Sequence, residues 1–210
     1  MPSLTPIQQP DLGGWLHEPG ATLSGAIGLT HGAGGNANNP FLQALAAELC
    51  AGGWLVLRYD LPFRRDGKTP NPRQAVQDRE GIRAAAAFLR RYQPPILALG
   101  GQSYGGRQTS LAAAESPALA SALVLLSYPL HPPGKPEQLR TDHFPDLEQP
   151  CLFVQGTRDP FATPDELRAA AAAIRTRVTL RWIEQAGHSL PPASARGVAD
   201  CTSEFLRTLS

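Results

Sequence analysis

Along most of the chain, short apolar runs alternate with stretches in which apolar residues recur every three to four positions. The runs at 12–16, 26–29, 54–59, 95–100, 122–126, 151–155 and 178–183 read as strands. Several, such as Leu123-Val124-Leu125-Leu126, are apolar without alternation, which predicts burial on both faces of a sheet. The stretches between them carry helical spacing. Leu42, Leu45, Ala46 and Leu49 form one stripe, entered through Asn39 as N-cap and Pro40 in the first turn. Ile82, Ala85, Ala86 and Leu89 form a second stripe. Thr163-Pro164-Asp165-Glu166 reads as a capping box ahead of Leu167, Ala170, Ala171 and Ile174, and the last helix is expected to bury Val198, Cys201 and Phe205. Strand–helix alternation of this kind predicts an α/β fold with a mostly parallel sheet of about seven strands and helices on both faces. Ligands of such sheets bind beyond the carboxyl ends of the strands, so the strand-to-helix turns are where chemistry is expected.

Composition narrows this to one domain over 1–210, since 210 residues can bury a sizeable core and 42% are hydrophobic. The 21 prolines fall mainly between apolar segments as punctuation, and the alanine runs sit inside helical patterns. A net charge of +1 lacks the basic footprint of a nucleic-acid binder. No apolar run is long enough to span a membrane, and the first nine residues lack the basic and apolar regions of a secretory signal. Cys50, Cys151 and Cys201 are odd in number and widely spaced in apolar contexts, as expected of reduced thiols in a cytoplasmic protein.

Three turns carry the chemistry. Gly101-Gln102-Ser103-Tyr104-Gly105 matches G-x-S-x-G between a strand and a helix. There the serine is expected on a strained turn, with flanking glycines that permit the bend and let the next helix approach, lifting the hydroxyl above a helix N-terminus. His31-Gly32-Ala33-Gly34-Gly35 follows an early strand and can supply a second backbone N–H to an oxyanion, for which Ala33 is the candidate beside Tyr104. His31 reads as a loop brace. Gly32, Gly34 and Ala37 also satisfy a dinucleotide fingerprint with Asp60 as its acid, but Asp60 lies 28 residues past Gly32, where about 20 is expected. The third element is a pair, Asp159 after the strand 151–155 and His188 after the strand 178–183. A serine needs a base, and the base needs an acceptor that fixes its tautomer. The chain order Ser103, Asp159, His188 is the order found in α/β-hydrolases.

With these residues in place, the sequence resembles the α/β-hydrolase superfamily, in its small dienelactone-hydrolase-like branch. The strings G-G-Q-S-Y-G-G-R (100–107) and R-Y-D-L-P-F-R-R (58–65) resemble the group named after a subunit of the non-specific lethal complex and its testis-expressed relative. The resemblance runs from Ala26 to His188 and the closing helix. It implies a serine hydrolase with Ser103 as nucleophile, His188 as base, Asp159 as its orienter, and an oxyanion hole at Ala33 and Tyr104. Dienelactone hydrolases proper use cysteine where this chain has Ser103. The expected substrate is a small molecule with an ester, thioester or related acyl bond, with no cofactor, no metal, no nucleic acid and no membrane. Oligomeric state has no signature in the chain. The competing readings are a non-catalytic interaction protein of the same fold, and nucleotide binding at the 32–37 glycine loop.

Two expectations concern access. Only 24 residues, 127–150, separate the strands 122–126 and 151–155, too few for a cap domain, so an open, lidless site is expected. The basic loop Arg64-Arg65-Asp66-Gly67-Lys68 starts at the same sheet edge, so Arg64 and Arg65 are candidates to bind an anionic group on the substrate. Arg107, one turn into the helix after Ser103, is expected to tie down a neighbouring loop.

Overall fold

The apolar runs assemble into one sheet. In the computed structural model, which describes residues 2–20 and 22–209, its strands are β1 (Ser3–Gln8), β2 (Gly13–Glu18), β3 (Gly25–Thr30), β4 (Trp54–Tyr59), β5 (Leu97–Gln102), β6 (Ala122–Leu126), β7 (Cys151–Gly156) and β8 (Val178–Ile183). Met1, Ala21 and Ser210, which the single-domain reading includes, lie outside the described residues. The strand order is β1-β2-β4-β3-β5-β6-β7-β8. β1 and β2 pair antiparallel, β2 joins β4 antiparallel, and every other pairing is parallel. β3 to β7 are buried along their whole length, as runs without alternation require.

The helices are α1 (Pro40–Ala51), α2 (Pro62–Arg65), α3 (Ala75–Arg90), α4 (Tyr104–Glu115), α5 (Pro164–Ala171) and α6 (Ala195–Arg207). They divide the core in two. α1 and α6 pack Leu42, Leu45, Val198 and Phe205 with Ile27, Val56, Val124 and Val154 on one face. α3, α4 and α5 pack Ile82, Leu89, Ala112 and Leu167 with Leu57, Leu99, Leu125 and Phe153 on the other. The caps are those the sequence predicts: Asn39 Oδ1 accepts from Phe41 N and Leu42 N, and Thr163 and Glu166 close a capping box.

This layering creates the crevice. The chain leaves β3 into α1 on one face and leaves β5 into α4 on the opposite face, although β3 and β5 are neighbours. Adjacent strands whose continuations part in this way open a gap at their carboxyl ends.

Four differences from the sequence expectation have physical causes. β1 brings the strand number to eight; it is an exposed edge strand whose Pro6 and polar residues hide it from apolar periodicity. Segment 62–65, expected as loop, forms the single turn α2 behind Pro62. α5 stops at Ala171, yet Ile174 beyond it is still buried. On α6 the buried face runs through Val198, Thr202 and Phe205, leaving Cys201 partly exposed. Segment 127–150 holds no α-helix and no cap domain; Tyr128, Leu130, Phe144 and Leu147 anchor it in the core instead. Among the described residues no helix is long and apolar enough to cross a membrane.

Candidate active site

Ser103 is the single residue between β5 and α4, and it takes the bend itself, at φ 53° and ψ −117°. The strain expected of this turn falls on the serine itself, and of the two roles expected of the glycines, bending and close approach, the structure displays close approach. A Cβ on Gly105 would stand 2.5 Å from His31 O, and one on Gly106 would stand 2.6 Å from Gly101 O. A non-glycine residue in this region of backbone space stores about 1–3 kcal/mol, held here by the flanking strand and helix.

His188 and Asp159 meet this serine from the turns after β8 and β7. Ser103 Oγ lies 2.7 Å from His188 Nε2, and His188 Nδ1 lies 2.8 Å from Asp159 Oδ2. Asp159 is 2% exposed and fully bonded: Oδ2 also accepts from Gln155 Nε2 at 2.6 Å, and Oδ1 accepts from Phe161 N at 2.9 Å. An acceptor-only carboxylate on Nδ1 puts that ring proton on Nδ1, which leaves Nε2 free to accept from the serine. The Phe161 ring lies over the His188 imidazole, centroids 4.1 Å apart. Gln155 and Phe161 are residues the sequence reading missed. Gln155 is the last polar position of a buried strand four residues before Asp159, which was the available signal.

The loop after β3 is braced from below. His31 is fully buried; Leu61 N donates to its Nε2 at 3.2 Å, so its Nδ1–H donates to Gly32 O at 2.8 Å. Burial holds its pKa below the usual histidine value despite Asp60 at 3.4 Å. Asp60 Oδ1 accepts from Ala37 N at 2.6 Å, and the buried Arg58 donates to Ala37 O. Thus the acid that a dinucleotide site would direct at a ribose is bonded to the loop, and the loop reaches α1 only after Asn39. The amides of Ala33 and Tyr104 have no acceptor among the described residues, and both residues line the cavity over Ser103. The Tyr104 side chain is held away by its hydroxyl, which donates to buried Asp78 at 2.7 Å, and by an edge contact with Phe63.

That cavity has a volume of about 830 Å³. The loop after β3, the start of α4, His188, Pro70 to Arg79, and Pro129 and Arg140 from segment 127–150 form its walls. Two sequence expectations are corrected here. Arg64 and Arg65 do not line it: Arg64 donates to Ala33 O at 3.1 Å, and Arg65 turns to Gln9 O and Pro10 O at the β1–β2 turn. Both side chains leave the single turn α2 for backbone carbonyls, Arg64 for the loop after β3 and Arg65 for the β1–β2 turn. Arg107 ties down no loop; it lines the cavity, and its Nε is buried without a hydrogen-bond partner. Among the described residues no three His, Cys, Asp or Glu side chains are grouped to hold a metal ion.

A mostly parallel sheet, a switch point over a strained serine, and this hydrogen-bonded chain define the α/β-hydrolase class. A profile of the α/β-hydrolase domain family matches residues 24–205, and the chain belongs to that family. Its membership supports a hydrolase. Among solved structures, the dienelactone hydrolase from Anabaena variabilis ATCC 29413 superposes with a TM-score of 0.79 at 22% identity, covering 99% of this chain and 98% of that one. The esterase domain of a Rhodothermus marinus protein gives 0.75 at 18% identity over 100% of both chains. Est1E from Butyrivibrio proteoclasticus gives 0.75 at 16% identity over 98% of each. These likenesses establish a fold of the dienelactone-hydrolase type.

Proposed function

We propose that the protein is a serine hydrolase that cleaves an ester, thioester or related acyl bond of a small molecule through an acyl-Ser103 intermediate. The observation that carries this reading is the hydrogen-bonded chain from Ser103 Oγ through His188 to Asp159, with links of 2.7 and 2.8 Å. In the acylation step Ser103 Oγ attacks the carbonyl carbon while its proton passes to His188 Nε2. Asp159 stabilises the resulting imidazolium through Nδ1–H and stays ionised. The tetrahedral oxyanion accepts from the free amides of Ala33 and Tyr104, the latter at the N-terminus of α4. His188 then gives the proton to the leaving oxygen or sulfur as the acyl bond breaks. Water enters by the same route in reverse: His188 takes its proton, the hydroxide oxygen bonds to the acyl carbon, and Ser103 leaves with the proton returned. The dienelactone hydrolase and esterase names of structural neighbours agree with this class. Three unpaired thiols agree with a reducing, cytoplasmic setting.

The test is labelling with a fluorophosphonate followed by peptide mapping. Stoichiometric modification of Ser103, lost in Ser103→Ala together with turnover of a p-nitrophenyl ester, is the expected result. Modification of a different serine with Ser103 untouched overturns the mechanism.

A further inference from the structure

Three guanidiniums line the cavity over Ser103, from Arg79, Arg107 and Arg140, and no Asp or Glu lines it among the described residues. Arg79 is already neutralised: its Nε lies 2.8 Å from Glu115 Oε1, and its Nη1 donates to Gln108 at 3.2 Å. Arg79 Nε, like Arg107 Nε, is buried without a hydrogen bond, but Arg79 has Glu115 as counter-ion, which Arg107 and Arg140 lack. Neither side chain makes a hydrogen bond or ion pair within the described residues, and Arg107 Nε is buried without a partner. Leaving a charged donor so enclosed is costly unless a ligand completes it. The two side chains also feel each other: burial lowers the Arg140 pKa, and the Arg107 charge lowers it further. Two unpaired cations on one apolar-walled cavity bind an anion far better than they tolerate each other's company.

Resting on the serine-hydrolase reading, we infer that Arg107 and Arg140 form an anion subsite, so that the substrate is an acyl compound carrying a carboxylate or phosphate group. Position sets its size. Arg107 N bonds to Ser103 O at 3.0 Å, one helical turn on, which is about 6 Å along α4. Ser103 and both guanidiniums line one cavity of about 830 Å³, so the anionic group and the acyl carbon belong to one compact molecule. Guanidinium presents paired N–H groups that match two oxygens of either anion. Segment 127–150, too short to be a cap, gains a role as the strap that brings Arg140 to the site.

The experiment compares kcat/KM for mono-p-nitrophenyl adipate with that for its neutral methyl diester, both read by p-nitrophenolate release. Wild type is expected to favour the anionic ester by tenfold or more, with the preference falling as salt is raised. Arg107→Gln and Arg140→Gln each lower that ratio about tenfold, Arg107→Lys retains part of it, and Arg65→Gln, outside the cavity, retains all of it. A binding arm needs no turnover. Hexanoate and hexyl phosphate should raise the wild-type Tm and not that of Arg107→Gln, and the tighter of the two identifies the anion class. Turnover of the neutral ester with no preference for the anionic one overturns the subsite and leaves the hydrolase reading standing. Anion binding that needs Arg107, without any Ser103 labelling or turnover, does the reverse.

Discussion

Gln155 Nε2 donates to Asp159 Oδ2 at 2.6 Å, the same oxygen that faces His188 Nδ1. Gln155 is itself fixed by the Tyr128 backbone, accepting from Tyr128 N at 2.7 Å and donating to Tyr128 O at 3.3 Å. The carboxylate is thus aimed by a buried amide whose own orientation is settled on the neighbouring strand end, so the imidazole inherits its direction from β6 as well as β7.

Removing this amide should act on turnover more than on substrate binding. Gln155→Leu loses one hydrogen bond to a charged group, about 1.5–3 kcal/mol, and leaves the Tyr128 amide buried without its acceptor. On the proposed mechanism kcat for a p-nitrophenyl ester falls roughly 10- to 100-fold with KM little changed, and urea unfolding shows a loss of about 2.5–6 kcal/mol from the two effects together. An unchanged kcat in a folded Gln155→Leu protein would show that Asp159 is held well enough without it.

The strain at Ser103 is measurable apart from catalysis. Ser103→Ala keeps a Cβ at φ 53°, whereas Ser103→Gly removes it. The glycine variant is expected to be more stable than the alanine variant by about 1 kcal/mol, since relief of strain exceeds the added chain entropy. For a chain of this length that is about 2–4 °C in Tm by calorimetry. A lower Tm for Ser103→Gly would place the strain elsewhere.

The sequence made the central fold legible because β3 to β7 are buried on both faces and leave unbroken apolar runs. It also carried Ser103, Asp159 and His188 to one place, since each follows a strand end and parallel strands share a carboxyl edge. What it hid depends on long-range packing. β1 is exposed and carries no periodic signal. Gln155, Asp78 and Phe161 look like ordinary residues until the sheet brings them against Asp159, Tyr104 and His188. The basic loop misled because both arginine side chains leave the turn α2, which begins at Pro62, for backbone carbonyls, Arg65 for that of Pro10.

Two glycines should respond oppositely to alanine. At Gly105 the new Cβ would press on the His31 carbonyl at 2.5 Å, where β3 and α4 touch, so Gly105→Ala should destabilise by about 1–3 kcal/mol. At Gly197, inside α6, nothing lies within 4 Å of the new Cβ, and Gly197→Ala should stabilise by about 0.4–1 kcal/mol through helix propensity and a less flexible unfolded chain. Denaturant melts of both variants check the contrast. A neutral Gly105→Ala would mean that β3 and α4 can part at no loss.

Acid should loosen the fold through its buried histidines before most carboxylates are protonated. His17 is pushed down from 6.5 to about 4, first by burial and then by Arg58, whose Nε donates to its Nε2 at 2.9 Å. His143 falls to about 4 by burial and the Arg107 charge, against the opposing pull of Asp142, Asp146 and Glu115, with its Nε2 2.8 Å from Ser110 Oγ. Both folded values lie below the unfolded one. The unfolded chain therefore binds more protons between about pH 6.5 and 4, and stability, complete above 6.5, declines as pH falls through that window. Each imidazole contributes a slope of up to about 1.4 kcal/mol per pH unit, less at half-buried His143 where solvent screens the charge. A double variant, His17→Gln with His143→Gln, keeps acceptors for Arg58 and Ser110 but cannot take up the protons. Between pH 7 and 4.5 wild type should lose about 2–4 kcal/mol more than this variant in urea unfolding, because carboxylates contribute equally to both. Parallel stability curves would mean that the two histidines are already solvated enough to protonate without strain on the fold.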